Sequence, residues 1–335
     1  MHAVRLHAFG PAENLTYEKV EAPVPAPGQV RVKVAAAGVH VLDTTLREGA
    51  SGPFPAPAVL PTVPGREVAG TVDALGAGTD PSWLGKRVVA HLGMVPGGYA
   101  ELAVTDAARL HELPDHLGEP EAVAMIGTGR TTLGILQFAE LGPGSVAIVP
   151  AAAGGIGTLL VQYAKNAGAV VIGLAGGPEK VERVRGEGAD LAVDYTREGW
   201  PAEVRAFLDE ALDGRAATVV FDSVGGPTGR AAVDLLGPGG THLVFGWRGE
   251  GPDEGPLTFT EEELTARGIT SRSVLGPAMI QRAGGDIRNL ELAALSAAAT
   301  GTLRPAVQSY PLSEAAAAHH ALETRGTVGK VVLIP

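Results

Sequence analysis

The chain has 335 residues, a formal net charge of −11, 45% hydrophobic and 19% charged residues, and no cysteine. This length exceeds one ordinary domain and can bury ample core. The balance excludes a disulfide scaffold, a disordered chain and a binder of nucleic acid or anionic membrane. Aromatics make up only 4%, against 47 glycines and 25 prolines, so the core is expected to be alanine- and valine-rich with many turns. The N-terminal "MHAVRLHAFG" lacks the apolar stretch of a secretory signal, which makes a cytoplasmic location the expectation.

In chain order, the first 120 or so residues read as short alternating strands broken by glycine and proline. They include "VRLHAFG", "LTYEKV", "GQVRVKVAAAGV", "GREVAGTVDALG", "GKRVVAHL" and "GYAELAVT". Such a run predicts a small all-β barrel. "EAVAMIGTGRTTLGIL" (Glu121–Leu136) reads as a linking helix. Residues 141–164 carry no charge, but prolines and glycines interrupt them, so they do not form one membrane-spanning helix. They divide instead into the strand "SVAIVP", a glycine turn and a helix of 3.6-residue spacing. "AVVIGL" follows as a second strand, completing a βαβ unit. Further strands are expected at 192–195, 217–226, 239–246 and 269–275. Helices are expected between them at 179–187, 202–212, 228–236 and 261–267. This alternation predicts a doubly wound parallel α/β sheet. "GKVVLIP" at the end returns to the β domain. The expected division is 1–124 with 273–335 for the β domain, and 125–272 for the inserted sheet.

A tight turn from a buried strand into a helix needs small residues, and the helix start presents free N–H groups to an anion. The turn Ala152-Ala153-Gly154-Gly155-Ile156-Gly157 approximates the dinucleotide fingerprint, with alanine in the first glycine slot. A small-residue turn that only packs helix on sheet is the plainer alternative. The second strand ends in Leu174-Ala175-Gly176-Gly177 without the acid that usually bonds an NAD ribose, and Lys180 follows. This favours NADP(H). Glu179 argues the other way, and Lys180 has a plain alternative as a solvated surface residue. In such sheets the ligand lies over the carboxyl ends of the strands, so Ser223, Val224, Phe245 and Gly246 are expected to line the cofactor groove.

An ordered set of segments runs over nearly the whole chain: "AAGVHVLDTTLREG", "PGREVAGTV", "GKRVVA", "GGYAELAV", "AAAGGIG", "GADLAVDY", "FDSVGG" and "RGTVGKVVL". Together they resemble the zinc-independent medium-chain dehydrogenase/reductases, in the NADPH:quinone oxidoreductase (zeta-crystallin-like) branch. The resemblance implies a GroES-like β-barrel catalytic domain, an inserted Rossmann domain, a homodimer, and hydride transfer from NADPH to quinones or activated enones. It also implies 2′-phosphate contacts at Lys180, Tyr195 and Arg325, a pyrophosphate turn at Ala153, Gly154, Gly155 and Ile156, and a cofactor contact at Gly176. Thr131 matches a threonine at the nicotinamide end. Phe54 stands where the family often has an aromatic over the cleft, and Trp247 joins it in the expected substrate pocket. His40 and Thr45 depart from the family's asparagine and tyrosine that face the nicotinamide.

The zinc alcohol dehydrogenases share the implied fold. Here the place of one ligand histidine holds Arg66, and His40 and Glu67 alone are too few to bind zinc. "HELPDH" has its second histidine one place late for a zincin motif, and Pro114 interrupts it. His319 and His320 are expected in an ordinary helix between Ser313 and Gly326, about 100° apart. Without metal, His40 or the Thr45 hydroxyl is expected to donate a hydrogen bond to the acceptor oxygen, and His40 to supply its proton. That His40 only packs at the barrel mouth is the plain alternative. Asp43 is expected to orient the loop. Two other functions remain open: a carbon–carbon double-bond reductase of enals or enoyl groups, and an NADPH-binding structural or regulatory protein with little turnover.

Overall fold

The computed structural model describes residues 1–52, 56–247 and 255–335. The chain divides into two compact units, one of residues 1–129, 294–301 and 305–335, the other of residues 130–293 and 302–304.

The first unit begins with an antiparallel hairpin, β1 (His2–Leu6) with β2 (Leu15–Lys19). Its main sheet is laid down by β3 (Gln29–Val39), then helix α1 (Val41–Arg47), β4 (Glu67–Leu75), β5 (Arg87–His91), β6 (Leu102–Asp106) and β7 (His111–Glu112). Alternation along β3 turns Val30, Val32 and Val34 inward, so the strand pattern buries one face. The linking segment is α2 (Glu119–Ala124), a π-helical stretch over Met125–Gly129, and α3 (Arg130–Leu136). The expected single helix at 121–136 is therefore interrupted, at the boundary between the units.

The second unit follows in chain order: β8 (Val146–Val149), α4 (Gly155–Asn166), β9 (Val170–Ala175), α5 (Pro178–Gly186), β10 (Leu191–Asp194), α6 (Trp200–Ala211), β11 (Ala217–Asp222), α7 (Gly226–Val233), β12 (Leu236–Val244), α8 (Glu261–Arg267), β13 (Thr270–Ser273) and α9 (Pro277–Arg282). Helix α10 (Ile287–Ala299) crosses back to the first unit. All the strands pair in parallel, in the order β10-β9-β8-β11-β12-β13. The core is aliphatic, with Val146, Ile148, Ile172, Leu174 and Val220 wholly buried. The chain switches direction across the sheet between β8 and β11, where such folds hold their ligands.

The first unit then closes with β14 (Val307–Pro311), α11 (Ala315–Glu323) and β15 (Lys330–Ile334), giving the order β14-β15-β3-β4-β5-β7, with β6 also on β3. The return from the second unit comes later than residue 273. β13 is a strand of the parallel sheet and α9 packs on α3, which holds this stretch in the second unit. The helix expected from 228 ends at Val233, because Leu236 already belongs to β12. α11 follows a 3-10 turn at Leu312–Glu314, and its N-cap Glu314 makes no side-chain cap. Among the described residues, no helix is long and apolar enough to cross a membrane.

Candidate active site

In the second unit the residues expected around a dinucleotide gather at the carboxyl ends of the strands. The β8–α4 turn is tied back by Gly154 N–H to the Ala151 carbonyl (2.9 Å), and by Ala152 N–H to the Leu174 carbonyl at the end of β9 (2.9 Å). A Cβ at Gly157 would overlap the Ala151 carbonyl, so only glycine permits helix α4 to start so close to the turn. Ala153 is buried, while Gly154, Gly155 and Ile156 are half-exposed. The first N–H groups of a 12-residue helix have no partner within it, and this cradle suits a pyrophosphate.

A second cluster forms after β11 and β12. Asp222 Oδ1 accepts the N–H groups of Val224 and Gly225, each at 2.9 Å, and Phe245 N–H donates to the Asp222 carbonyl at 2.9 Å. A Cβ at Gly246 would crowd the Ser223 carbonyl. Ser223, Val224, Phe245 and Gly246 are thus brought together, with half-exposed Trp247 beside Gly225. Asp222 Oδ2 contacts buried His242 Nε2 (3.1 Å), whose Nδ1 reaches Ser271 Oγ (2.8 Å) on β13.

Gly176 and Tyr195 are also neighbours, since a Cβ on Gly176 would lie in ordinary contact with the Tyr195 hydroxyl. Lys180 stands in the first turn of α5, and Thr131 is half-exposed at the start of α3. One acid escaped the sequence reading of this corner. Asp194, ending β10, has Oδ1 accepting from Gly177 N–H (3.0 Å), Thr196 N–H (3.0 Å) and the Thr196 hydroxyl (2.7 Å). The Gly177 N–H foremost, then Thr196, holds its carboxyl below the usual range. Its charge is therefore spent on fixing the turn after β9. Arg325 belongs to the first unit, with a positive φ of 56°. Phe54 lies outside the described residues.

In the first unit, strand register builds a charged cluster. Val331 pairs with Val39 and Ala37 with Val68, so Lys330, His40 and Glu67 stand at the same end of three adjacent strands. Lys330 Nζ lies 2.7 Å from His40 Nε2 and 2.9 Å from Glu67 Oε2, and His40 Nε2 lies 2.6 Å from Glu67 Oε1. Glu67 is fully buried and Lys330 is 4% exposed, while the His40 side chain is 26% exposed. Of these contacts only Lys330–His40 has the direction of a hydrogen bond. Both Glu67 oxygens lack a well-aligned partner and are held by charge. Gly38 and Gly127 make the space for that carboxylate, since a Cβ on either would overlap it. Burial alone would raise the Glu67 carboxyl, but His40 and Lys330 outweigh it and hold it well below the usual range. Burial also lowers Lys330, against the opposing pull of Glu67.

Asp43 orients the loop, as expected. It is buried, and its Oδ2 accepts from His40 N–H (2.8 Å) and from the Tyr99 hydroxyl (3.2 Å). Tyr99 in turn meets His319 Nε2 at 3.0 Å. Burial, then Asp43, raises the Tyr99 phenol well above its ordinary value, so it stays a donor. The donor role expected of Thr45 is corrected. Its single hydroxyl proton points to the Val41 carbonyl one turn back (3.2 Å), as helical threonines commonly do. His319 is buried in α11 and His320 exposed. The sequence reading missed Lys330 altogether. Its signal was a lone acid, Glu67, entering an apolar strand, because a dry carboxylate needs a cation.

A GroES-like unit joined to a parallel dinucleotide sheet defines a medium-chain dehydrogenase/reductase. Two family profiles match: the alcohol dehydrogenase GroES-like domain over residues 26–115, and the zinc-binding dehydrogenase family over residues 155–289. A quinone oxidoreductase of Pseudomonas aeruginosa is 34% identical, covering 99% of both chains. A 2-haloacrylate reductase of Burkholderia is 32% identical over 99% of this chain and 98% of its own. A solved quinone oxidoreductase of Escherichia coli, complexed with NADPH, superposes with a TM-score of 0.82 at 28% identity and full coverage of both chains. The chain belongs to the quinone oxidoreductase family of the medium-chain dehydrogenase/reductases.

Zinc does not fit the residues present. Glu67 already faces the Lys330 ammonium at 2.9 Å, and Arg66 lies beside Asp43 (3.9 Å), so a dication there meets two fixed cations. Among the described residues no three histidine or acidic side chains converge as a metal site.

Proposed function

We propose that the protein is an NADPH-dependent reductase that passes a hydride to a quinone or activated enone without zinc. The observation that carries this reading is the half-exposed His40, backed by a buried ammonium–carboxylate pair that leaves no room for a metal. NADPH, when bound, supplies the hydride. Gly154, Gly155 and Ile156 hold the pyrophosphate, and Lys180 with Tyr195 the 2′-phosphate, with Arg325 as a further phosphate contact. Thr131, Ala153, Gly176, Ser223, Val224, Phe245 and Gly246 fix the rest of the dinucleotide, and Phe54 and Trp247 bound the acceptor. His40 donates to the acceptor oxygen, where negative charge grows during transfer. Because Nε2 faces Lys330, the donating atom is Nδ1. A cytoplasmic homodimer belongs to the same proposal.

His40→Ala is expected to lower kcat/KM about a hundredfold on quinone and enone acceptors. Stopped-flow NADPH oxidation against naphthoquinone, phenanthrenequinone, 2-alkenals and a crotonyl thioester measures this, and unchanged rates on every acceptor would remove His40 from the chemistry. The same panel separates quinone reduction from carbon–carbon double-bond reduction. The kinship with a 2-haloacrylate reductase favours the latter as the second reading.

Lys180→Ala is expected to weaken NADPH binding roughly tenfold while leaving NADH unchanged, the loss of one charge-assisted contact to phosphate. Calorimetry with both nucleotides checks it. Equal affinity for the two, insensitive to the substitution, refutes the NADP(H) assignment.

A further inference from the structure

The buried cluster behind His40 carries an inference beyond the residues so far given a role. It rests on His40 as the donor to the acceptor. An ammonium has only protons to offer, and Lys330 Nζ lies 2.7 Å from His40 Nε2 with hydrogen-bond direction. Nε2 is therefore the acceptor in that bond, and the neutral ring carries its proton on Nδ1. Nothing else in the cluster fixes the tautomer: Glu67 sits 2.6 Å from the same nitrogen but off the line of a hydrogen bond. Lys330 is rooted as the first residue of β15, and Glu67 as the first of β4. The groups that face Lys330 are thus Glu67 and His40, with Asp43 and Arg66 as the nearest further charges.

We propose that Lys330 is the positioning residue and proton reservoir of this site: it fixes His40 as the Nδ1–H tautomer and replaces the proton that His40 gives up. When hydride has reached the acceptor, the His40 Nδ1–H bond breaks and an O–H bond forms on the acceptor. Nε2 takes a proton from the Lys330 ammonium, so an Nζ–H bond breaks and an Nε2–H bond forms. The ring ends neutral and Lys330 ends as an amine. Solvent protons then restore Nζ–H and Nδ1–H through the half-exposed ring. One hydride and one proton are consumed per acceptor, and no metal enters. Burial favours the uncharged amine, which eases its loss of a proton. Glu67 keeps the ammonium in place between turnovers.

The tautomer is read directly by 15N–1H correlation of the histidine rings in the wild-type protein, with His40→Gln identifying the signal among the nine histidines. Expected is a His40 protonated on Nδ1 with Nε2 unprotonated. A His40 protonated on Nε2 overturns the proposal. Kinetics tests the relay. Lys330→Met is expected to lower kcat/KM with NADPH and naphthoquinone by roughly ten- to a hundredfold, and to cause no further loss in a His40→Ala background. Equal losses in both backgrounds overturn it while leaving His40 its role. If His40→Ala alone changes nothing, the reading of His40 falls, and the tautomer measurement still decides the place of Lys330. Lys330→Arg serves if the methionine variant does not fold. Arginine keeps the charge but does not release its proton, so its rate is expected to fall about tenfold with NADPH affinity unchanged. Full activity with arginine would show a purely structural cation and overturn the relay.

Discussion

Glu67→Ala is expected to cost about 3–5 kcal/mol of stability in the first unit, because it strands the Lys330 ammonium in a dry interior. Glu67 is fully buried and Lys330 nearly so, so solvent cannot replace the lost carboxylate. The figure is the penalty of an uncompensated charge, not the net worth of the pair. The double variant Glu67→Ala with Lys330→Met is therefore expected to recover most of the loss. Urea unfolding of the single and double variants gives the comparison. An unfolding midpoint for Glu67→Ala equal to wild type would mean that Lys330 is neutral or hydrated in the resting protein.

Acidification is expected to destabilise the same unit through His319. Burial, opposed by Asp43 and reinforced by Arg47, lowers this imidazole from 6.5 to about 4. Between these values the unfolded chain binds a proton that the folded chain refuses, so stability rises with pH there. Lowering the pH from about 7 to 4 thus removes roughly 3 kcal/mol, and going lower removes no more through this group. Glu67 does not blur the window. Its folded value is depressed, so its stabilising charge is present above the ordinary carboxylate range and disappears only well below it. His319→Gln keeps a donor for the Tyr99 hydroxyl, and its unfolding free energy should be flatter across pH 4–6.5. An unaltered slope in that variant would assign the acid sensitivity elsewhere.

Much of the second unit was legible because its signals are local. The turn at Gly154–Gly157 announces itself through small residues between an apolar strand and a helical stripe, and both elements fall where spacing puts them. Helices α9 and α10 were not foreseen, and their stretch was read as part of the β domain. "PAMIQR" is too short to show a period, and only contact with α3 holds it in place. The site in the first unit was half legible. His40 was visible as a departure from a family pattern. Its dependence on Lys330 was not, because the two meet only through the register of β15 on β3. Thr45 was misjudged for a related reason: the sequence did not show that residue 45 lies in a helix, where the Val41 carbonyl is within reach. Asp194 looked remote from the end of β9 until sheet pairing set the two strands side by side.

The two glycines around Glu67 have a consequence for how this site drifts over generations. A methyl group at position 38 or 127 occupies the volume of the carboxylate itself. These three positions are therefore inherited together: a descendant that gains alanine at either glycine must already have shed the glutamate, and one that sheds the glutamate is freed to fill the hole. Covariation among 38, 67 and 127 across homologous chains would carry the imprint of a single buried charge.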